Sequence, residues 1–441
     1  MKSPRKWRSV GVAVLLAVAV PAVLSSASSV AQEEGLDGRA SSDWVGSWAT
    51  AVTGPEPGAG SAFNGFTNAS LRMITHISVG GDKIRIRLSN VFGERTVTIG
   101  HATVARPNTS TPELSDINAS TLRTLTFNGR SSATMLKGQE LLSDPVDFRV
   151  NDLEDLVVSL FFPVASGPVS WHATSLQSSF ATATDGGDLS ATASGAGYTI
   201  QRDCCWYVLS GVDVLRHNDA GSVVVVADSL GDGNGSTLNA NKRWPDLLAK
   251  RLVDRRSGRV PGVLNASLAG NRLNHEGPEP GAGGFPGFVQ LGTNAGARLN
   301  EDVFPQTAVR TVLFDLGIND IWMTGDSADA IINAIRQAGT QVRERGLTFI
   351  PATLGPYEGF LLTPGAPAAE WTPAKEATRV AVNNFLRSTH EFDGLVDFDK
   401  VLRDPAHPSQ LRAEFDSGDH IHPNDAGNQA MADLVSLRLL S

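Results

Sequence analysis

The feature that most constrains the fold is an uninterrupted apolar run, SVVVVA at residues 222–227, which leads directly into Asp228 and Ser229. A strand without a polar side has to be buried on both faces, as the strands of parallel sheets are. Later apolar segments alternate with helical patterns. They are VPGVLN (260–265), VRTVLFDLG (309–317), LTFIPAT (347–353) and LVDFD (395–399). This alternation predicts an α/β fold in which helices cover both faces of a parallel sheet.

The clearest helical pattern covers residues 326–345, where apolar side chains recur on one face and Gly346 stands at the stop. Three other segments are predicted to be helical. They are residues 241–256, a segment that opens at Thr372-Pro373 and runs toward Thr389, and residues 425–440. Ligands bind outside the carboxyl ends of the strands in such sheets, so a functional site is expected in the loops that follow the strands.

The first half of the chain has a different pattern, in which short strand-like segments are separated by clusters of Gly, Pro, Asn and Asp. These segments include WVGSWATAV (44–52), KIRIRLSNVF (83–92), TVTIGHATVA (96–105), TLTFNG (124–129), DLVVSLFFP (155–163) and VSWHATSLQ (169–177). Such spacing is typical of an antiparallel β-sandwich. We therefore predict an all-β sandwich domain over residues 43–217, followed by an α/β domain over residues 218–441.

The N-terminus has the pattern of a secretory signal peptide. Four basic residues precede the apolar run Val10–Leu24, and Ser29-Val30-Ala31 offers small residues for cleavage. We predict a signal peptide over residues 1–31, a linker over 32–42, and secretion to the extracellular space or the periplasm. The alternative is a membrane anchor. It is disfavoured because the run is shorter than the ~20 residues that a span needs, so no stable membrane insertion is expected after processing.

The charge of the chain argues against a polyanionic partner. The formal net charge is −9, and removal of residues 1–31, which carry four basic residues and no acidic one, brings it to −13. Nucleic acid is therefore not expected as a partner.

The two cysteines, Cys204 and Cys205, are adjacent. Two neighbouring thiols cannot complete a tetrahedral metal site alone. In an oxidising compartment they either close a vicinal disulfide or remain thiols within a strand.

The glycine-rich loop after the apolar run does not have the pattern of a phosphate-binding loop. A Walker-type loop needs a lysine before its Ser or Thr, whereas Gly235 is followed directly by Ser236. The glycines at 231, 233 and 235 do not have the G-x-G-x-x-G spacing, and the next strand ends at Asn265 without an acidic residue. A calcium loop that begins at Asp228 would have Leu230 and Asn239 at positions that need oxygen ligands and a bidentate carboxylate.

The loop is better interpreted as the turn that positions a nucleophile. Ser229 follows the end of a buried parallel strand, where the next turn can direct a backbone N–H at an oxyanion. A serine nucleophile needs a histidine base and an acid that orients it. Asp419 and His422, three residues apart in SGDHIHPNDAG just before the last predicted helix, can supply them, although His420 competes as the base. A helix-capping or turn role is favoured for Asp228.

At this point the chain resembles a known family. ADSL (227–230), the glycine of NASLAGNRL (265–273), GIND (317–320) and DHIHP (419–423) resemble, in this order, the four motif blocks of the SGNH, or GDSL, hydrolases. The resemblance covers residues 221–441 and implies a three-layer α/β/α, flavodoxin-like catalytic domain. One departure is Ala227, which stands where the family has the glycine of GDSL.

The resemblance also implies roles for individual residues. Ser229 would be the nucleophile and would donate its N–H to the oxyanion, with Gly270 and Asn319 as the other donors. His422 would be the general base and Asp419 its orienting acid. No cofactor or metal is expected. A zinc site built on D-H-I-H is the alternative, but no third strong ligand is evident in the sequence.

The predicted function is that of a secreted serine esterase that forms an acyl-enzyme. The joined β-sandwich resembles the arrangement of secreted carbohydrate esterases, so the expected substrates are acylated, especially acetylated, polysaccharides or other carbohydrate esters. Lipids and small aryl esters are the alternative substrates, and a non-catalytic carbohydrate-binding protein is the alternative of another class. Four aromatic residues could line a substrate cleft or simply pack. They are Trp322, Tyr357, Phe360 and Trp371.

Overall fold

The computed structural model describes residues 43–201, 205–217, 220–255, 259–282, 285–362 and 370–440. The predicted signal peptide and linker lie outside the described residues. Among the helices that are described, none has both the length and the apolar character that crossing a membrane requires.

The N-terminal half, which we call the β region (residues 43–217), consists mostly of short strands. Its elements are β1 (Trp44–Ala49), α1 (Ser61–Asn64), β2 (Ala69–His76), β3 (Gly81–Ser89), β4 (Val97–Ile99), β5 (His101–Ala105), β6 (Arg123–Thr124), β7 (Ala133–Met135), β8 (Glu140–Leu142), β9 (Val146–Val150), β10 (Asp155–Phe162), β11 (Trp171–His172), β12 (Ser179–Thr182), β13 (Tyr198–Ile200), β14 (Trp206–Tyr207) and β15 (Leu209–Leu215).

Two antiparallel sheets form the predicted β-sandwich, which the structure confirms. One has the order β1-β15-β3-β8, with β9 also on β3, and the other has the order β13-β12-β2-β10-β5-β6. β11 pairs with β14 and β4 with β7 as separate ribbons. In β3 the side chains of Ile84, Ile86 and Leu88 are fully buried, whereas the basic residues between them are partly exposed, as the period of two requires.

Two of the predicted strands of the β region are shorter than expected. Only Thr124 of TLTFNG lies in a strand, because the chain turns back at Asn128 and Gly129, which both have positive φ. Only Trp171 and His172 of VSWHATSLQ pair as a strand, with β14.

The C-terminal half, which we call the α/β region (residues 220–440), alternates strands and helices. Its elements are β16 (Ser222–Ala227), α2 (Ser229–Asp232), α3 (Trp244–Asp254), β17 (Gly262–Asn265), α4 (Ala295–Asp302), β18 (Val309–Asp315), α5 (Ala328–Arg343), β19 (Thr348–Pro351), α6 (Pro373–Ser388), α7 (Phe398–Leu402) and α8 (Asp425–Leu434). The four strands are parallel in the order β17-β16-β18-β19.

Helices cover both faces of this sheet, which confirms the predicted three-layer α/β/α fold. Val223 and Val225 of β16 pack into the same apolar cluster as Trp244 of α3 and Met431 of α8. The residues between them, Val224 and Val226, belong to the cluster on the other face, which contains the apolar side of α5. The continuous valine run is therefore explained by burial on both sides of one central strand.

Two predicted elements differ in the α/β region. The segment predicted as a fifth strand, 395–399, makes only a single parallel bridge, between Val396 and Ala352, because Asp397 already caps α7. The last helix ends at Leu434 instead of continuing to 440, and a short 3-10 turn follows at Leu437–Leu440.

The two regions meet along a seam of close backbone contacts. A Cβ atom on Gly262 of β17 would lie 1.9 Å from the carbonyl oxygen of Gly46 in β1, so only glycine fits there. The Val263 N–H of β17 donates to the Ser78 hydroxyl (2.9 Å), and the Gly46 N–H donates to the Thr307 carbonyl (3.2 Å). The β region therefore lies against the edge of the parallel sheet that β17 forms.

Cys205 is disulfide-bonded and has a positive φ of 96°. Its neighbour Cys204, the only other cysteine of the chain, lies outside the described residues. Of the two alternatives from the sequence, the structure therefore excludes a free thiol for Cys205 and leaves Cys204 undescribed.

Candidate active site

Ser229 lies where β16 ends and the single-turn helix α2 begins. Asp228 precedes that turn and caps it, because its carboxylate accepts a hydrogen bond from the Leu230 N–H (3.0 Å), as the sequence predicts. Gly233, with φ of 89°, ends the turn in the left-handed conformation. The Ser229 side chain is thus held at the carboxyl end of the central strand, and the residue is 6% exposed.

His422 and Asp419 lie in the loop before α8 and meet Ser229 from the other side. The His422 Nε2 atom lies 2.8 Å from the Ser229 Oγ atom, and its Nδ1 atom lies 2.5 Å from an Asp419 carboxylate oxygen. The other Asp419 oxygen accepts hydrogen bonds from the backbone N–H groups of Ile421 and His422. The structure brings all three predicted side chains together in one hydrogen-bonded series.

The charge of Asp419 is stabilised by these contacts. Burial alone would raise the pKa of Asp419, but the hydrogen bonds from the His422 ring and from two backbone amides outweigh burial and hold that pKa well below its ordinary value. The carboxylate is therefore ionised at neutral pH and fixes Nδ1 of His422 as the protonated nitrogen. Nε2 is then free to accept a proton from Ser229.

His420, the competing base in the sequence, faces elsewhere. Its Nδ1 atom lies 2.6 Å from an Asp416 carboxylate oxygen, and its side chain is half-exposed. The two histidines of D-H-I-H thus pair with different carboxylates.

Gly270 and Asn319 line the same cavity as Ser229 and His422. Gly270 has φ of 76°, and a Cβ atom there would lie 2.5 Å from the Leu291 side chain. Asn319 is buried, and its amide nitrogen donates to an Asp228 carboxylate oxygen (3.1 Å) and to the Asn271 carbonyl (3.0 Å). The predicted oxyanion donors are therefore close to the serine, but the hydrogens of Asn319 already have acceptors.

Two buried carboxyls stand at the carboxyl ends of the adjacent strands β16 and β18. Burial raises the pKa of Asp228 to about 7, although the Leu230 N–H and His422 partly oppose the shift. Asp315, at the end of the adjacent strand β18, has its pKa raised well above the ordinary value by burial and by the neighbouring Asp228 carboxyl. One Asp315 oxygen has no hydrogen-bond partner among the described residues. The protonated form of Asp315 is therefore favoured in the folded protein.

The cavity in front of Ser229 has a volume of about 290 Å³ and is lined largely by aromatic and aliphatic side chains. A row of edge-to-face rings runs along it, with centroid separations of 6.4 Å (His422 to Phe360), 5.1 Å (Phe360 to Trp322), 5.7 Å (Trp322 to Phe285) and 5.8 Å (Phe285 to Phe288). Further polar side chains at the same cavity include Thr174, Asn234 and Gln290. The site can thus exclude water around a small substrate and still hydrogen-bond hydroxyl groups.

The sequence identified only part of this lining. Trp322 and Phe360 line the cavity, whereas Tyr357 is fully buried in the core and Trp371 packs against the same core. Phe285 and Phe288 were missed, because they lie in a Gly- and Pro-rich stretch without periodicity. His172 of the β region was missed as well. The Gly- and Pro-rich composition around Phe285 and Phe288 was the only sequence signal that this segment could belong to a functional site.

One group of side chains away from the serine could hold a cation. Ligand atoms of His275, Asp320 and Asp326 lie within 4.8 Å of one another. These atoms already have partners: Asp320 accepts the Leu273 and Asn274 N–H groups, and His275 bonds Asp326 (2.9 Å) and Glu279 (3.1 Å). The contacts are satisfied within the protein and give no independent indication of a metal.

Residues 228–430 match the model of the GDSL-like Lipase/Acylhydrolase family. No curated protein matches the chain in a sequence search.

Several solved structures are similar to the chain at low identity. A family two carbohydrate esterase from Clostridium thermocellum, in complex with cellohexaose, is 12% identical, with 85% of this chain and 92% of that chain covered and a TM-score of 0.36. A family two carbohydrate esterase from Cellvibrio japonicus is also 12% identical, with 85% and 89% covered and a TM-score of 0.32. A GDSL-like lipase from Bacteroides thetaiotaomicron is 13% identical, with 50% and 88% covered and a TM-score of 0.34.

Proposed function

Since residues 228–430 belong to the GDSL-like lipase/acylhydrolase family and the chain is thereby an ester hydrolase, we propose that it is a serine esterase in which Ser229 forms the acyl-enzyme. The observation that carries this proposal is the hydrogen-bonded series from Asp419 through His422 to Ser229 beside the cavity. A serine hydroxyl becomes a competent nucleophile when a neutral imidazole nitrogen accepts its proton.

In the acylation step, Ser229 Oγ forms a bond to the ester carbonyl carbon and its proton moves to His422 Nε2. Asp419 stabilises the imidazolium that results and keeps the ring oriented. When the tetrahedral intermediate collapses, the carbon–alkoxide bond breaks and His422 returns the proton to the leaving alcohol. Water then attacks the acyl carbon by the same route in reverse, which releases the carboxylic acid and restores the serine.

We assign the oxyanion to the backbone N–H groups of Ser229 and Gly270 and to the Asn319 amide. All three residues line the cavity. The Asn319 hydrogens that now reach Asp228 and the Asn271 carbonyl have to be shared with the oxyanion in this step. A donor of this kind supplies about 3–4 kcal/mol of transition-state stabilisation.

As substrates we propose esters with a short acyl group on a carbohydrate, with acetylated polysaccharide as the first candidate. The cavity volume of about 290 Å³ is at the lower end of small-molecule sites and suits a short acyl group with part of the alcohol. The polar side chains of Thr174, Asn234 and Gln290 can bond sugar hydroxyls. The apolar aromatic row is the observation that favours the second candidate, a small aryl or lipid ester.

The catalytic proposal is tested by hydrolysis of p-nitrophenyl acetate. We expect Ser229→Ala to abolish turnover, whereas Ser236→Ala, in the same loop, leaves it unchanged because the Ser236 hydroxyl has no partner among the described residues. Asp419→Asn should lower kcat by about three to four orders of magnitude. A folded wild type that hydrolyses no ester would contradict the proposal and favour a carbohydrate-binding protein without activity.

The substrate proposal is tested by a comparison at matched enzyme concentration. Acetate release from acetylated xylan is measured beside p-nitrophenyl esters of increasing chain length. We expect turnover of the xylan and a steep fall with acyl length. A preference for long acyl chains would instead establish the second candidate. Secretion is tested separately by the N-terminal sequence of the protein found outside the cells, which we expect to begin after residue 31.

A further inference from the structure

The β region supplies one wall of the cavity that contains Ser229. His172, at the end of β11, lines this cavity together with Ala173 and Thr174. The His172 side chain is nevertheless almost completely buried, with 1% exposure. His172 is thus a buried ionisable side chain at the wall of the proposed reaction cavity. Such a group is a candidate for a functional role.

In the described part of the chain, the groups that face the His172 ring nitrogens are all hydrogen-bond acceptors. Nδ1 lies 2.9 Å from the Ala51 carbonyl oxygen, and Nε2 lies 3.0 Å from the Thr174 carbonyl oxygen. Nε2 also lies 2.9 Å from an Asp232 carboxylate oxygen. Both nitrogens must therefore carry hydrogens, which makes the ring an imidazolium paired with Asp232. Burial alone would lower the pKa of His172, but Asp232 and the two carbonyls together raise it.

Asp232 connects this imidazolium to the loop that contains Gly270. Its second carboxylate oxygen accepts a hydrogen bond from the Ala269 N–H at 2.7 Å. Asp232 itself is the last residue of α2, the turn that begins with Ser229. A second bond joins the same two segments, because the Asn265 amide donates to the Gly231 carbonyl (2.8 Å).

We propose that His172 is a positioning residue for the esterase reaction: through Asp232 it fixes the Ala269 N–H, and thereby the peptide that presents the Gly270 N–H to the oxyanion. The β region is then part of the catalytic apparatus and not only a neighbour of it. This inference depends on the proposed function, because it assumes that Gly270 donates to an oxyanion.

The test uses the full chain and p-nitrophenyl acetate. We expect His172→Phe, which keeps a ring but removes its contacts with Ala51, Thr174 and Asp232, to lower kcat about 10- to 100-fold with KM changed less than about threefold. Asp232→Ala should give a similar loss. The double variant should lose no more than Asp232→Ala alone, since both residues act through the same hydrogen bond.

His76→Phe is the matched control. His76 is also a histidine of the β region that bonds a carboxylate, Asp155 (2.7 Å), and it is bonded across the seam by the Asn241 amide. It does not line the cavity. We expect His76→Phe to lower the melting temperature as much as His172→Phe but to leave kcat within about twofold. Equal losses of kcat in the two variants would overturn the proposal.

If His172→Phe does not fold, the comparison of kcat between Asp232→Asn and Asp232→Ala tests the same proposal. An asparagine keeps an oxygen acceptor for the Ala269 N–H, and its amide can donate to a neutral His172. We expect it to retain most of the kcat that Asp232→Ala loses, whereas equal losses would contradict the positioning role. An inactive wild type would refute the proposed function instead, so the two failures are distinguishable.

Discussion

The indole N–H of Trp322 donates a 2.8 Å hydrogen bond to the side-chain oxygen of Asn319. This bond determines how the Asn319 amide is oriented at the cavity wall. With the oxygen engaged by the indole, the nitrogen is directed at Asp228 and the Asn271 carbonyl. The orientation of a proposed oxyanion donor is therefore set by a tryptophan that also forms part of the cavity wall.

Replacement of Trp322 by phenylalanine should weaken catalysis without disrupting the fold. Loss of one neutral hydrogen bond amounts to about 0.5–1.5 kcal/mol, so kcat should fall roughly two- to tenfold. Trp371→Phe is the control, because the Trp371 indole N–H has no partner in the described part of the chain. If both variants retain full kcat, the indole does not orient Asn319.

Asp228→Asn should lower kcat about 10- to 100-fold. The Asp228 carboxylate accepts from both the Leu230 N–H and the Asn319 amide, and an asparagine would turn its own NH₂ group toward one of these donors. Such a mismatch amounts to about 1–3 kcal/mol. Steady-state kinetics measure the loss, and an Asp228→Asn enzyme with wild-type kcat would show that the carboxylate does not position Asn319.

Asp315→Asn should stabilise the protein increasingly as the pH rises. Because the pKa of Asp315 is raised in the folded state, the folded protein binds more protons than the unfolded one above the ordinary pKa of 3.8. The free energy of unfolding of the wild type therefore falls as the pH rises from 3.8 to the raised pKa of Asp315 in the folded state. The variant avoids this loss.

The measurement for Asp315→Asn is the melting temperature of both proteins at pH 5 and pH 8. The gain should be larger at pH 8 than at pH 5, because the wild type loses about 1.4 kcal/mol of stability for each pH unit between 3.8 and the raised pKa of the folded state. A gain that is the same at both pH values would mean that the Asp315 carboxyl is not protonated in the folded protein.

Gly270→Ala should reduce both activity and stability. Gly270 and Gly325 have the same φ of 76°, but a Cβ atom would meet Leu291 at 2.5 Å in the first and nothing within 4 Å in the second. Gly325→Ala therefore reports the backbone cost alone, about 1–2 kcal/mol. Gly270→Ala should cost about 1–3 kcal/mol more from overpacking, and its kcat should fall at least tenfold as the N–H moves. Equal unfolding energies for the two variants would contradict this account.

The sequence pattern was sufficient to predict those features that depend only on residues close together in the chain. The valine run of β16 required burial on both faces, and the capping carboxylate of Asp228 follows directly from its position before a turn. Asp419 and His422 are only three residues apart, so their pairing needs little more than a short loop. The segment at 395–399 shows the limit, because capping of α7 by Asp397 shortens a strand that apolar content favours.

Contacts between distant segments could not be predicted in this way. His172 reaches Asp232 only because β11 lies against α2, and nothing in VSWHATSLQ distinguishes this histidine from one in an ordinary strand. The Asn319 hydrogen bonds to Asp228 and the Asn271 carbonyl likewise depend on three separate loops. Phe285 and Phe288 join the aromatic row from a stretch without any period.

The contact between Gly46 and Gly262 limits how this chain can be divided. β17 ends the parallel sheet, and its outer Val263 N–H is satisfied by Ser78 of the other half. A fragment that begins at residue 218 would present this strand edge to solvent, where it could pair with other copies. The α/β region is thus not a unit that can be transferred alone. A fusion or a truncation has to include the β region as well.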